Sequence, residues 1–185
     1  MIQLVAKTGF ITKETWAEYF FQGGKIRWRN HQWRSLRESG HFVSYRNTRI
    51  ENVYVLNRMN REVAAMIQGQ AVGPPFVAQL DHDEILLRGL LRVKRSGLVA
   101  DFTTEAELKL SSPGSRQFES SRQAIKYPDA LLVLSDQLDA TQVAVEVELT
   151  QKGRKRYVQI LEAYASRRDV HQVLYVTENG FERKS

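Results

Sequence analysis

The chain of 185 residues contains no cysteine. Disulfides and thiolate metal sites are therefore excluded. No apolar run approaches the roughly 20 residues of a membrane span. Residues Met1 to Phe10 lack the basic start and long apolar stretch of a secretory signal. These absences predict a cytoplasmic protein without a membrane partner. The four histidines, His31, His41, His82 and His171, are scattered. With no His-x-His pair and no HExxH, they argue against histidine-ligated metal and zinc hydrolase chemistry. No glycine-rich phosphate loop of the Walker type is present, so nucleotide hydrolysis is not indicated. Tyr157 and Tyr164 sit seven apart on one helix face, the spacing of core aromatics rather than of a covalent nucleophile.

The C-terminal part also lacks net charge. Residues 78–185 hold 16 basic and 16 acidic side chains, whereas residues 1–77 hold 11 against 5. The whole excess of +6 thus lies in the first two-fifths of the chain. A basic module joined to a balanced one suggests that the first part meets a polyanion. The length and the 42% hydrophobic fraction admit one medium domain or two small ones.

The stretch Gln68 to Pro75, QGQAVGPP, reads as a linker or long turn, because two glycines and a Pro-Pro pair stop any helix. It separates residues 1–67 from residues 76–185. In the first part, Ile2 to Lys7 predicts a short helix broken by Gly9. Thr12 caps a helix running to Phe21. A third helix spans Lys25 to Ser39 and is closed by Gly40. His41 to Leu56 then reads as two strands around the polar turn Arg46-Asn47-Thr48-Arg49. Three short helices followed by a hairpin is the order of a winged helix-turn-helix. Trp33 and Leu36 are core positions of the third helix. Arg27, Arg29, Arg34 and Arg37 on the same helix suit phosphates or guanine edges of double-stranded DNA. Arg46 and Arg49 would contact the backbone or minor groove from the wing tip.

In the second part, Val77 to Arg95 predicts a helix stopped by Gly97. Val99 to Leu110 reads as a strand or hairpin arm, and Ser111 to Gln123 as a polar loop. Ala130 to Leu134 is an apolar run, hence a buried strand. Gln142 to Thr150 alternates as a further strand, Arg154 to Arg167 is an amphipathic helix, and Val173 to Val176 reads as another buried strand. This order predicts an α/β fold, a mixed sheet flanked by helices.

Chemistry concentrates on two adjacent strands. Asp129 follows Pro128 and enters the apolar run. Glu146 and Glu148 are two apart and share one face of their strand. If the strands pair, Asp129 joins them. Three carboxylates together repel unless a cation compensates, and hard oxygens suit Mg²⁺ or Mn²⁺. The same alternation also describes a half-exposed strand with both glutamates in water.

Pro128-Asp129, then Glu146-x-Glu148, within this element order, resembles the PD-(D/E)XK nuclease superfamily, which implies a restriction-endonuclease-like sheet over residues 76–185. The resemblance implies that Asp129 and Glu146 hold a divalent cation. Glu148 stands where the superfamily carries Lys, as a further ligand or water-orienting base. Lys152, four residues on, is the candidate to stabilise phosphorane charge. Glu105 and Glu84 are secondary acidic candidates, Glu105 as a further metal ligand. Lys152-Gly153-Arg154-Lys155-Arg156, with Arg154 foremost, would face the phosphate backbone. The joint arrangement with the winged helix resembles the replication-relaxation family, which includes MobC-type relaxases. That likeness implies a metal-dependent nickase acting at a plasmid origin of transfer or replication, with relaxosome or coupling proteins as partners. The alternative is a non-catalytic DNA-binding replication regulator or accessory factor on an inactive nuclease fold.

Overall fold

A computed structural model describes residues 1–21, 25–45, 53–111, 127–135, 141–150 and 152–177. The chain divides into two compact units, Met1–Arg92 and Val93–Ser185.

The first unit opens with α1 (Ile2–Thr8), which ends where Gly9 adopts a left-handed conformation, φ 85°. A Cβ at this position would also stand 2.4 Å from the Gly73 carbonyl oxygen, so only glycine fits. β1 (Ile11–Thr12) leads into α2 (Lys13–Phe20), where the Thr12 side chain accepts from the Thr15 amide as an N-cap. α3 (Ile26–Glu38), β2 (Phe42–Tyr45) and β3 (Val53–Leu56) follow. The strands form an antiparallel sheet in the order β1-β3-β2, with Ile11 opposite Tyr54 and Phe42 opposite Leu56. Val5, Ile11, Trp16, Trp33, Phe42, Tyr54 and Val63 belong to the core that helices and sheet share. The helix spans, the Thr12 cap and the hairpin strands thus agree with the sequence reading.

α4 (Arg61–Ile67) is an element that the sequence reading did not supply. Its signal was Asn60, whose side chain accepts from the amides of Glu62 and Val63. The stretch 68–75 is not a free linker. Ala71 and Val72 are buried. The Val72 amide donates to Ala6 O at 2.8 Å, and Arg58 donates to the carbonyls of Ala71 and Val72 at 3.0 and 2.7 Å. Tyr45 donates to Pro75 O at 2.8 Å. These bonds fasten the Gly- and Pro-bearing segment to the unit before it. A short 3₁₀ turn, Val77–Gln79, then enters α5 (Leu80–Arg95). The boundary between units therefore falls inside α5 rather than at 68–75. Glu84 accepts from the hydroxyls of Thr12 and Thr15, and Arg88 and Arg92 pair with Glu18, which ties most of α5 to the first unit.

The second unit contains β4 (Val99–Thr104), α6 (Glu105–Ser111), β5 (Ala130–Leu134), β6 (Gln142–Glu148), α7 (Arg154–Ala165) and β7 (Gln172–Thr177). Its sheet runs β4-β5-β6-β7, antiparallel for the first two pairings and parallel for the last. The α/β class and mixed sheet follow the expectation. Two details differ. The strand from Val99 stops at Thr104, because Thr104 and Glu107 cap a helix reciprocally. The Thr104 amide donates to the Glu107 carboxylate at 3.0 Å, and the Glu107 amide donates to the Thr104 hydroxyl at 3.4 Å. β7 is an edge strand rather than a buried one, with Leu174 and Val176 exposed. The expected polar loop lies, beyond Ser111, outside the described residues. Among the described residues no helix is long and apolar enough to cross a membrane.

Candidate functional site

One face of the second sheet gathers the chemistry. Ala130 pairs with Val145 and Leu131 with Ala144 in antiparallel register. Continuing that register sets Asp129 opposite Glu146. β7 lies on the other side of β6, with Tyr175 opposite Glu146. Leu131, Ala144, Ile160 and Tyr164 pack together, with Val173 and Tyr175 against them. The even-numbered face of β6, which carries Glu146 and Glu148, is thus the face under α7.

Both glutamates are buried, Glu146 at 4% exposure and Glu148 at 3%. The reading of β6 as a half-solvated strand is thereby set aside. Burying a carboxylate is costly unless donors reach it, and donors are present. Tyr164 of α7 donates its hydroxyl to Glu146. Lys152 forms an ion pair with Glu148. The amide and hydroxyl of Thr150 also donate to Glu148, at 3.3 and 3.4 Å. Half-buried Asp129 accepts from the Val147 amide at 2.7 Å. Burial, followed by the hydrogen bond and charge of Glu146, pushes the Tyr164 phenol far above its ordinary value, and Asp129 adds to this. Burial also raises Tyr175, helped by the charges of Glu146, Glu148 and Asp129. All three carboxylates therefore act on one region.

The sequence-predicted residues separate accordingly. Asp129, Glu146, Glu148 and Lys152 come together. Glu105 does not lie on the neighbouring strand. It opens α6, joins Asp129 only through its amide, which donates to the Asp129 carbonyl at 3.0 Å, and pairs its carboxylate with Lys109 at 2.8 Å. Glu84 belongs to the first unit. Its carboxylate accepts from Thr12 and Thr15 at 2.8 and 3.0 Å, and burial raises its pKa. Arg154, Lys155 and Arg156 are exposed on the first turn of α7.

Sequence reasoning missed Tyr164, Tyr175 and Tyr157 as members of the polar centre. The seven-residue spacing of Tyr157 and Tyr164 correctly marked a buried helix face. It was silent about the hydroxyls, of which that of Tyr164 reaches the Glu146 carboxylate. Tyr157 accepts from the Lys152 amide at 3.4 Å and meets Tyr175 ring to ring at 6.2 Å. The Tyr175 hydroxyl is buried with no hydrogen-bond partner among the described residues.

The donor chemistry of Asp129 and Glu146, hard oxygens at opposed positions of two paired strands, fits Mg²⁺ or Mn²⁺. A three-carboxylate set is not assembled, because Glu148 is turned to Lys152. Among the described residues no three or more His, Cys, Asp or Glu side chains form a metal-holding group.

In the first unit, α3 presents a basic face. Of its residues only Trp33 is buried. Arg27, Arg34 and Arg37 are exposed, whereas Arg29 is half-buried. The Arg37 guanidinium sits 5.8 Å from the centre of the Tyr54 ring. Arg46 and Arg49 lie outside the described residues. No protein-family model matches the chain, and no curated protein or solved structure is significantly similar to it.

Proposed function

We propose that this protein binds double-stranded DNA through α3 of its first unit and nicks one strand with a metal-dependent, nuclease-type centre in its second. The helix order, the β1-β3-β2 sheet and the exposed basic α3 support a winged helix-turn-helix reading of the first unit. Arg27 and Arg34 are spaced to lie on one side of that helix and would meet phosphates or guanine edges. The observation that carries the catalytic part is the burial of Glu146 and Glu148 beside Asp129, with Lys152 in contact. A fold-only role would favour apolar residues at two such central positions. Asp129 and Glu146 would hold Mg²⁺ or Mn²⁺, which when bound supplies Lewis-acid stabilisation of phosphodiester hydrolysis. Glu148 would accept a proton from the attacking water, and Lys152 would offset charge on the phosphate. The exposed Arg154 would guide the DNA backbone. The likeness to MobC-type relaxases and the PD-(D/E)XK superfamily makes a plasmid origin the favoured substrate and relaxosome proteins the favoured partners.

A second reading is favoured by the closure of the centre: Tyr164 engages Glu146 and Lys152 engages Glu148. In that case the protein is a DNA-binding replication regulator or accessory factor without catalysis. Calorimetry with Mg²⁺ and Mn²⁺, paired with nicking of supercoiled plasmid, separates the two. Metal binding and nicking that both disappear in Asp129→Ala/Glu146→Ala support the nuclease. DNA binding without metal binding or nicking leaves the regulator.

A further inference from the structure

We infer that Trp28 is a stacking platform for an unpaired DNA base, so that the first unit holds single-stranded as well as duplex DNA. This rests on the reading of that unit as DNA-binding.

The chain has three tryptophans. Trp16 and Trp33 are withdrawn into the core, whereas Trp28 is 50% exposed. Its position is nonetheless well supported. Trp33 contacts Trp16 with ring centres 5.0 Å apart, Trp16 contacts Phe21 at 4.3 Å, and Phe21 meets Trp28 edge-on at 4.7 Å. A series of rings thus runs from the core to one surface indole.

The surroundings of that indole are cationic and polar. Lys25, His31 and Gln32 are three or four residues from Trp28 and share its side of α3. Arg27 and Arg34 lie on the adjoining side. No carboxylate occurs between Lys25 and Arg37. An aromatic ring among cations is the combination that binds a single strand: the cations follow the backbone and the ring takes a base face. In an intact duplex the base faces are stacked on one another, so an exposed indole on a basic helix has no partner there. A helix stretch with this charge and no carboxylate favours a polyanion over a neutral protein surface.

The test uses the full chain with a labelled oligothymidylate of about 15 nucleotides and a short duplex, at one fixed salt concentration. Binding is read by anisotropy and by tryptophan emission. The wild type should bind the oligothymidylate with quenching of the exposed indole. Trp28→Ala should weaken that binding roughly 5- to 100-fold while changing duplex binding less than about threefold. Trp28→Phe should keep most of the affinity and lose the quenching. Unchanged oligothymidylate affinity in Trp28→Ala, or binding of duplex alone, would overturn the inference and leave the duplex reading standing. Binding of neither DNA would overturn both.

Discussion

The contact between Tyr164 and Glu146 permits a stringent test of the second unit. Glu146 is almost wholly buried in the central strand β6, and the Tyr164 hydroxyl donates to it. Tyr164→Phe removes that donor and leaves a buried carboxylate short of a partner. Hydrogen bonds to charged groups contribute about 1.5–3 kcal/mol, so a loss of about 2 kcal/mol is expected. Glu146→Leu alone should also destabilise, because it strands the Tyr164 hydroxyl. The double variant replaces both partners by apolar groups of similar shape and strands neither. Its loss should be smaller than the sum of the single losses by about 2 kcal/mol. Urea denaturation followed by far-ultraviolet circular dichroism measures this. With an m-value of roughly 1–3 kcal/mol/M, the Tyr164→Phe midpoint should fall by about 0.7–2 M. Additivity of the two single changes to within about 0.5 kcal/mol would refute the coupling and with it this account of how Glu146 is tolerated.

Other parts of the molecule yield sharper contrasts. Gly9→Ala should cost about 3 kcal/mol or more in thermal or chemical denaturation, since it combines a left-handed backbone with a clash against the Gly73 carbonyl. Gly69→Ala, with φ 78° and open space around it, should cost only about 1 kcal/mol, so similar losses at both positions would discredit the steric argument. Thr104→Ala should destabilise by about 1 kcal/mol and increase amide exchange in the first turn of α6, because it removes one half of the capping pair. Glu84 has a raised pKa, so the folded state binds its proton more readily than the unfolded state. Its contribution to stability is fully present below its unfolded value and is lost as pH rises through the folded one. Urea titrations at pH 4 and pH 7 should therefore show wild type losing stability relative to Glu84→Gln on going to the higher pH.

Much of this fold is legible in local chemistry. The Thr12 cap, the glycine after α1 and the apolar run Ala130–Leu134 mark their elements because each depends on neighbours in sequence. Misreadings occurred where two signals compete. Thr104 is a good strand residue and also a good cap, and Glu107 three residues later decides in favour of the cap. Gly69, Gly73, Pro74 and Pro75 look like a linker. What fastens that segment is long-range, from Arg58, Tyr45 and Ala6. The carboxylates of the second unit were identified from their two-residue spacing and from the Pro-Asp start of β5. Their burial was not legible, because it depends on α7 lying across β6. Nor was the pairing of Glu105 with Lys109 visible while that segment was read as a strand.

The bond from the Val147 amide to the Asp129 carboxylate has an implication for reading relatives of this chain. Asp129 precedes β5, and its side chain supplies β6 with an acceptor where the main-chain pairing of the two strands begins. The acid is thereby written into the architecture as well as into any reaction. A relative without catalytic activity would still be selected to keep it. Persistence of aspartate here is accordingly a poor witness to activity, and so is that of Lys152, whose ammonium offsets the buried Glu148 carboxylate.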